Sequence, residues 1–349
     1  MKLLTPGPVE LHPRVLNAMS RKIIHHRSSE ARRLVKSIVE DLKAIHNTRE
    51  GLVAIGAGSG TTSVDSMVWS IVGKSDRVLV VSHGEFGERL ASTITGTGAL
   101  VEVINAKPGS PIDPSLVVDA ARGFNVVGIV YNETSTGLLY RGLEKLSKAL
   151  CGQVDVIMVD AVSAIGAAEL YMDEWCIDAV ASAPHKALGG PPGIFIVALD
   201  KRLINRREGA PPSIDAVRHA KTIEERSETP YTPPVSLLYG FREALDIVEE
   251  AGGIDAWIGI HRERIDALYN SIPRELKPLV GDPVYRSNNI AALETPVDSR
   301  IIVDYIKSKG YLIASGMGKL KKRIIRIGVM GYIGMDDIRR VASLLADVI

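Results

Sequence analysis

Three charged residues in this sequence stand where charge is expensive. Lys186 follows the apolar run Ile177–Ala181 across a turn of small residues, and a Gly/Pro loop separates it from a further apolar run, Ile194–Leu199. Asp160 ends the apolar run Ile157–Val159, and Arg326 lies inside the stretch Ile324–Val329. Runs this short, apolar and bounded by turn residues, read as buried strands. A charge at the end of such a strand, or within it, is costly to keep dry. A lysine so placed can act as an amine nucleophile once burial or neighbours lower its pKa. The arginine fork suits bidentate binding of a carboxylate; the alternative is a pairing with a carboxylate elsewhere in the chain. The flanks of Lys186 (Ala183, Pro184, Ala187, Gly189, Gly190) are small and leave room for a large ligand.

A second group of residues points to anions and flat ligands. Gly56-Ala57-Gly58-Ser59-Gly60-Thr61-Thr62 follows a short strand, Leu52–Ile55, and precedes a helix predicted over about Ser63–Ile71. Free backbone N–H groups at a helix start attract a phosphate. No lysine follows Gly60 as in a Walker loop, and the glycines run G-x-G-x-G rather than as a dinucleotide fingerprint. A purely structural turn stays open as the other reading. Phe86, one of four phenylalanines, stands between Gly84 and Gly87, poorly placed for a core and well placed for stacking. The cluster Asn132–Gly137 ends the strand Val126–Tyr131, at the edge where open α/β sheets bind ligands.

These residues need a frame to hold them. Strands and helices alternate from about 50 to 200, which argues for a mostly parallel sheet covered by helices on both faces, an α/β architecture. Further strands are expected at Arg77–Val81, Leu100–Ile104 and Val156–Asp160. Helices are expected at His12–Ser20, Ser29–Ala44, Val235–Ala251 and Gly253–Ile272. The stretch after Leu203 reads as charged and irregular, and Thr229–Pro234 as a proline-rich linker. From Ile290 a smaller α+β unit begins: strand, helix Ser299–Lys309, strands Tyr311–Ala314 and Arg323–Gly328, helix Met335–Val348. Thr5-Pro6-Gly7-Pro8 cannot be helical and reads as an extended arm or turn. The expected division is a large domain over 20–235 and a small one from 1–19 with 236–349.

Composition narrows the class. The chain has 349 residues, 46% hydrophobic and 24% charged, with a net charge of +1, so nothing recommends nucleic acid or a membrane as partner. No apolar run is long enough to span a bilayer. Cys151 and Cys176 are the two cysteines; so few argue against a disulfide scaffold and for a reducing compartment, and the expected location is cytoplasmic. The pair His25-His26 lacks further ligands at metal spacing.

The stretches VDAVSAIGA, SAPHKALGGPPG and NETSTG resemble the class V branch of the fold-type I pyridoxal-phosphate enzymes, in the group of alanine–glyoxylate and serine–pyruvate aminotransferases. The resemblance runs nearly end to end. It implies a large domain around a mostly parallel seven-stranded sheet and a smaller α+β C-terminal domain. It also implies pyridoxal 5′-phosphate held by Lys186 as a Schiff base, with Asp160 at the pyridine nitrogen. Ser59, Gly60, Thr61 and His185 would hold the phosphate, joined by Thr232 of a neighbouring subunit, so the expected assembly is a homodimer with shared sites. Phe86 and Val162 would cover the ring and Ser135 would stand near its polar edge. Arg326 would bind the substrate carboxylate, and Gly7, in its Pro-Gly-Pro segment, would lie beside the substrate. One departure is Pro184, where the family usually has Gly or Ser. With Arg326 the one evident carboxylate anchor, small donors (alanine, serine) and acceptors (glyoxylate, pyruvate) are favoured over aspartate, phosphoserine or 2-aminoethylphosphonate. A cysteine desulfurase would need a cysteine after the lysine, and both precede Lys186. A kynureninase-like lyase would need a larger aromatic pocket. A nucleotide-dependent oxidoreductase would leave Lys186, Asp160 and Arg326 unexplained, and a non-catalytic cofactor-binding scaffold would leave the intact set idle.

Overall fold

The alternation between 50 and 200 folds into one seven-stranded sheet in a computed structural model that describes residues 1–206 and 209–349. Its strands are β1 Leu52–Gly58, β2 Arg77–Ser82, β3 Leu100–Asn105, β4 Val126–Val130, β5 Val156–Asp160, β6 Ala179–Ser182 and β7 Gly193–Leu199. Their order is β1-β7-β6-β5-β4-β2-β3. All pairings are parallel except those of β7, which runs antiparallel to both β1 and β6. The other six strands therefore end at one edge, and Ser59, Asn132, Asp160 and Lys186 all follow or end strands there. That edge is where open α/β sheets bind ligands.

Apolar side chains that alternate along each strand feed two cores, one per face. Ile55, Leu79, Ile129 and Val159 enter one, and Ala54, Val80, Val130 and Met158 the other. The helices are α1 Pro13–Met19, α2 Ser29–Ile45, α3 Gly60–Ile71, α4 Glu85–Gly96, α5 Pro114–Ala120, α6 Leu143–Leu150, α7 Ala216–Arg226, α8 Val235–Glu250, α9 Gly253–Ser271, α10 Ser299–Ser308 and α11 Met335–Val348. α3, α4 and α7 cover one face; α2, α5, α6 and α8 cover the other. Among the described residues no helix is long and apolar enough to cross a membrane.

A four-stranded antiparallel sheet forms the second unit: β8 Lys277–Pro278, β9 Ile290–Glu294, β10 Ala314–Ser315 and β11 Ile324–Gly328, in the order β8-β9-β11-β10. Ile325 and Ile327 pack with Ile265 of α9, Ile302 of α10 and Val341 of α11. The N-terminus belongs to this unit, since Lys2–Leu3 pairs in parallel with Tyr311–Leu312 and Leu4 is buried in the same core.

The structure corrects the sequence reading in four places. The stretch after Leu203 is not irregular throughout. Asp215 accepts from the Arg218 N–H at 2.9 Å and starts α7, whose Ala216, Val217, Ala220 and Ile223 face inward beneath the charges that masked them. The residues after Gly84 wind into α4, a helix where the sequence reading places no element. The expected strand Tyr311–Ala314 divides, its first half pairing with the N-terminus and its continuation, Ala314–Ser315, with β11. Finally, Cys151 and Cys176 are joined in a disulfide, with Cα atoms 5.8 Å apart, inside the usual range. Cys151 caps α6 and Cys176 sits in the turn before β6, a proximity made by the fold rather than by sequence spacing. The cysteine count therefore does not support a reducing compartment.

Candidate active site

The loop after β6 is built to present one amine. The Gly190 N–H donates to the Pro184 carbonyl at 2.9 Å and the Gly189 N–H to the Lys186 carbonyl at 3.0 Å. A Cβ on Gly190 would stand 2.7 Å from Cβ of Pro184, so the proline is matched by a residue that must lack a side chain. The Lys186 ammonium donates to the Pro6 carbonyl at 2.7 Å and forms no ion pair among the described residues. A Cβ on Gly7 would lie 2.6 Å from Lys186 Nζ, and its φ of 122° is left-handed. The Pro-Gly-Pro arm is thus a wall of the site. Burial pushes the Lys186 pKa down to about 8; Asp160 pulls against it, while Arg326 and Arg89 add to it.

Asp160 ends β5 with 7% of its surface exposed. Burial pushes its pKa up to about 6 and Glu133 adds to that, while the Val162 N–H on Oδ1 at 3.0 Å, Lys186 and Arg89 oppose it. Asp160 and Lys186 line a cleft of about 210 Å³. Expected residues that also line it are Ser59, Gly60, Thr61, Phe86, Val162 and His185. Ser59 precedes α3 in a capping box, with the Ser59 N–H donating to Thr62 Oγ1 at 2.9 Å, so α3 begins at Gly60, earlier than predicted. A Cβ on Gly60 would lie 2.5 Å from a Val162 methyl. Backbone N–H groups of a helix start therefore face a narrow space across from the lysine loop.

Of the eight buried side-chain polar atoms without a protein partner among the described residues, two belong to this site: His185 Nδ1 and Asn132 Oδ1. Asn132 Nδ2 donates to the Ser163 carbonyl and hydroxyl, both at 3.1 Å, and to Asn289 Oδ1 at 3.0 Å. Buried polar groups are normally satisfied, and these two sit in the lining of the cleft. Burial and Lys186 push the pKa of His185 down to about 4, so its ring is neutral at pH 7.

Arg326 is 8% exposed on β11. Its Nε donates to the Ser315 carbonyl at 2.9 Å and Nη1 to the Thr134 carbonyl at 3.3 Å, and it forms no ion pair among the described residues. The alternative expectation, an internal carboxylate partner, is not what the fold provides. Burial lowers its pKa to about 10, against the pull of Glu133 and Glu85. Thr134 lines the cleft, so the fork is held at its rim with Nη2 uncommitted.

Four expected residues lie outside the lining: Arg326 and Gly7, which border it as described, and Ser135 and Thr232. The Ser135 hydroxyl donates to Glu133 Oε1 at 2.5 Å and accepts from the Glu85 N–H at 3.1 Å. It joins α4 to Glu133, a fully buried acid that also takes the Phe86 and Gly87 N–H groups at 3.1 Å. Thr232 is exposed in the loop before α8. Sequence reasoning missed Arg89, Thr134, Asn132 and Ser163. Asn132 and Thr134 stood inside the polar cluster already singled out. Arg89 follows Phe86 by three residues, a shared helix face once α4 is recognised.

The two faces at Phe86 and Val162, the anion-binding helix start and the unpaired amine beside an acid fit a planar, phosphorylated aldehyde cofactor. The aminotransferase class-V family model matches residues 9–340. An alanine–glyoxylate aminotransferase of Mus musculus is 30% identical over 99% of this chain and 87% of its own. An aspartate aminotransferase of subgroup IV from Thermus thermophilus superposes with a TM-score of 0.92 at 29% identity, covering 100% of both chains. An alanine–glyoxylate aminotransferase from Nostoc sp. superposes with a TM-score of 0.93 at 25% identity, over 99% of this chain and 94% of that one. This fold-type I chain belongs to the class-V aminotransferase family.

Proposed function

We propose that this transaminase uses pyridoxal 5′-phosphate, held in the cleft, to move an amino group from a small neutral amino acid, alanine or serine, to glyoxylate or pyruvate. The observation that carries the reading is a buried amine, Lys186, that like the guanidinium of Arg326 has no ion-pair partner among the described residues, with the buried acid Asp160 in the same cleft. When bound, the cofactor supplies the electron sink that makes a Cα–H bond acidic. Lys186 would anchor the cofactor, and its Nζ, when free, would be the group that takes up and returns the substrate's Cα proton. An amine with its pKa near 8 is well matched to that transfer at neutral pH. Asp160 holds a proton on the ring nitrogen, and Phe86 and Val162 cover the two ring faces. Ser59, Gly60, Thr61 and His185 receive the phosphate. Thr232, exposed on its own chain, reaches the phosphate of a second copy, which makes a homodimer the working assembly. Arg326 takes the substrate carboxylate, with Gly7 closing the far side. In this reading residues 20–235 form the cofactor domain, and 1–19 with 236–349 the domain that closes over the substrate.

Arg89, in the cleft lining, adds a second guanidinium to Arg326 at the rim and favours a competing donor with an acidic side chain. The Thermus neighbour is named an aspartate aminotransferase, which points the same way. One experiment separates the readings. The visible spectrum is recorded with cofactor, borohydride is added, and the modified peptide is mapped by mass. A band lost to borohydride, with the added mass on Lys186, is expected. Alanine or serine should bleach the band faster than aspartate. No band even after adding cofactor would overturn the proposal, and preference for aspartate would replace its substrate.

A further inference from the structure

We infer that Arg89 selects the phosphorylated form of the cofactor, by meeting the phosphate at the start of α3 rather than a substrate's far end. The inference rests on the cofactor reading above. α4 places Arg89 one turn beyond Phe86, with its guanidinium carbon 4.8 Å from the centre of that ring. The ring fixes the guanidinium's position through a cation–π contact. Nη1 lies 3.5 Å from Thr61 Oγ1, in the first turn of the 12-residue helix α3. The fork therefore stands over the helix start, on the cradle side of the cleft, while Arg326 is held by the Thr134 and Ser315 carbonyls.

Arg89 forms no ion pair among the described residues, although acids lie near. Glu85 and Glu88 share its helix without bonding to it, and Asp65 is taken by Thr93 at 3.4 Å. Other arginines do hold carboxylates: Arg206 with Asp76, Arg262 with Glu169, Arg242 with Asp41. An unpaired fork over an anion cradle has a use for its charge there. The magnitudes agree. A helix start supplies roughly half a positive charge, whereas a phosphate ester carries about −1.5 to −2. Ser59 and Thr61 add neutral donors only, His185 is neutral at pH 7, and the Lys186 amine is spent on the anchor. Among the described lining residues Arg89 is the remaining cation.

The test uses cofactor-free full-length protein, titrated by visible absorbance with pyridoxal 5′-phosphate and, separately, with unphosphorylated pyridoxal. Arg89→Met keeps the chain length over Phe86 and removes the charge; Arg89→Lys keeps the charge and removes the fork. Arg89→Met should raise the Kd for the phosphorylated aldehyde by about 10- to 100-fold, the span expected for a charge-assisted hydrogen bond. Its Kd for pyridoxal should stay within about twofold. Arg89→Lys should fall between, and added salt should shrink the wild-type advantage. Equal weakening toward both aldehydes would overturn the inference in favour of a packing role. An unchanged cofactor Kd with a raised KM for aspartate alone would move Arg89 to the substrate's side and overturn it as well. Wild-type protein that binds neither aldehyde would overturn the cofactor reading itself, and the inference with it.

Discussion

The two ends of the large sheet carry similar residues and treat them in opposite ways. At the amino end, Asp76, Asp155 and Asp178 precede β2, β5 and β6. Asp178 accepts the Ile157 N–H at 2.7 Å and pairs with Arg202 at 2.5 Å. Asp76 accepts from Arg206 at 2.9 Å, and from Asn125 and the Gly73 N–H at 2.7 Å. The Cys151–Cys176 bridge closes the same end. At the carboxyl end Asp160 has one backbone N–H, while Lys186 and Arg326 bond only to carbonyls. Burial lifts Asp160 and Asp178 alike to about 6. Titration alone does not tell the site from the scaffold. The partners do: Asp76 and Asp178 are held by arginines, whereas Asp160, Lys186 and Arg326 form no ion pair among the described residues.

The largest break in that comparison is Lys186→Ala. Loss of its proton transfer alone should lower turnover by about 10²- to 10⁴-fold, and loss of the anchor should add to that. The circular dichroism spectrum should not change, because the amine supports only the Pro6 carbonyl. Wild-type turnover would remove Lys186 from the chemistry. Arg326→Lys comes next. A lysine keeps the charge but cannot fork, so KM for the amino donor should rise by about 10- to 100-fold. Cofactor Kd should hold within about twofold, and equal losses of both would show that Arg326 is structural.

At the closed end the expected effect is on stability. Asp178→Ala leaves the Ile157 N–H without its buried acceptor and should cost about 1–3 kcal/mol in urea unfolding. Cofactor affinity should be untouched. A variant as stable as wild type but weak in cofactor binding would show that the two ends are not separable in this way.

Much of this division was legible before the fold. Apolar runs ending in Asp160 or followed by Lys186 are a sequence pattern with a physical meaning, because a charge at the end of a buried strand needs a reason. All the strands but the edge strand β3, which is mostly exposed, were readable for the same cause: they are largely buried on both faces and so mainly apolar. What hid were contacts made by convergence. Arg89 joins the site only because α4 starts after Gly84 and winds through Gly87, a helix that glycines so placed do not announce. Ser135 and Thr134 are adjacent in one polar cluster, and only the turn between the paired segments Asn132–Glu133 and Leu138–Leu139 decides which hydroxyl meets the start of α4 and which residue lines the cleft. α7 was concealed by charge on its outer face. The disulfide depends on where the end of α6 meets the turn before β6, and no local pattern encodes that.

The smallest predicted effect is the sharpest test of an open end, since there the sign is unusual. Asp160 has a folded pKa near 6, above the ordinary 3.8. The folded protein therefore holds that proton more tightly than the unfolded chain does. Its contribution is most favourable below about pH 4, declines as pH rises toward 6, and stays at its cost above that. Two units correspond to about 3 kcal/mol at most, and relaxation around the cleft reduces it. Asp160→Asn keeps an oxygen for the Val162 N–H and removes the charge. Without cofactor it should be more stable than wild type by about 1–3 kcal/mol at pH 7, and the two should converge below pH 4. Urea unfolding at both pH values measures the difference. If Asp160→Asn were instead the less stable protein at pH 7, its charge would be satisfied within the fold. Asp160 would then belong with the scaffold acids at the other end of the sheet.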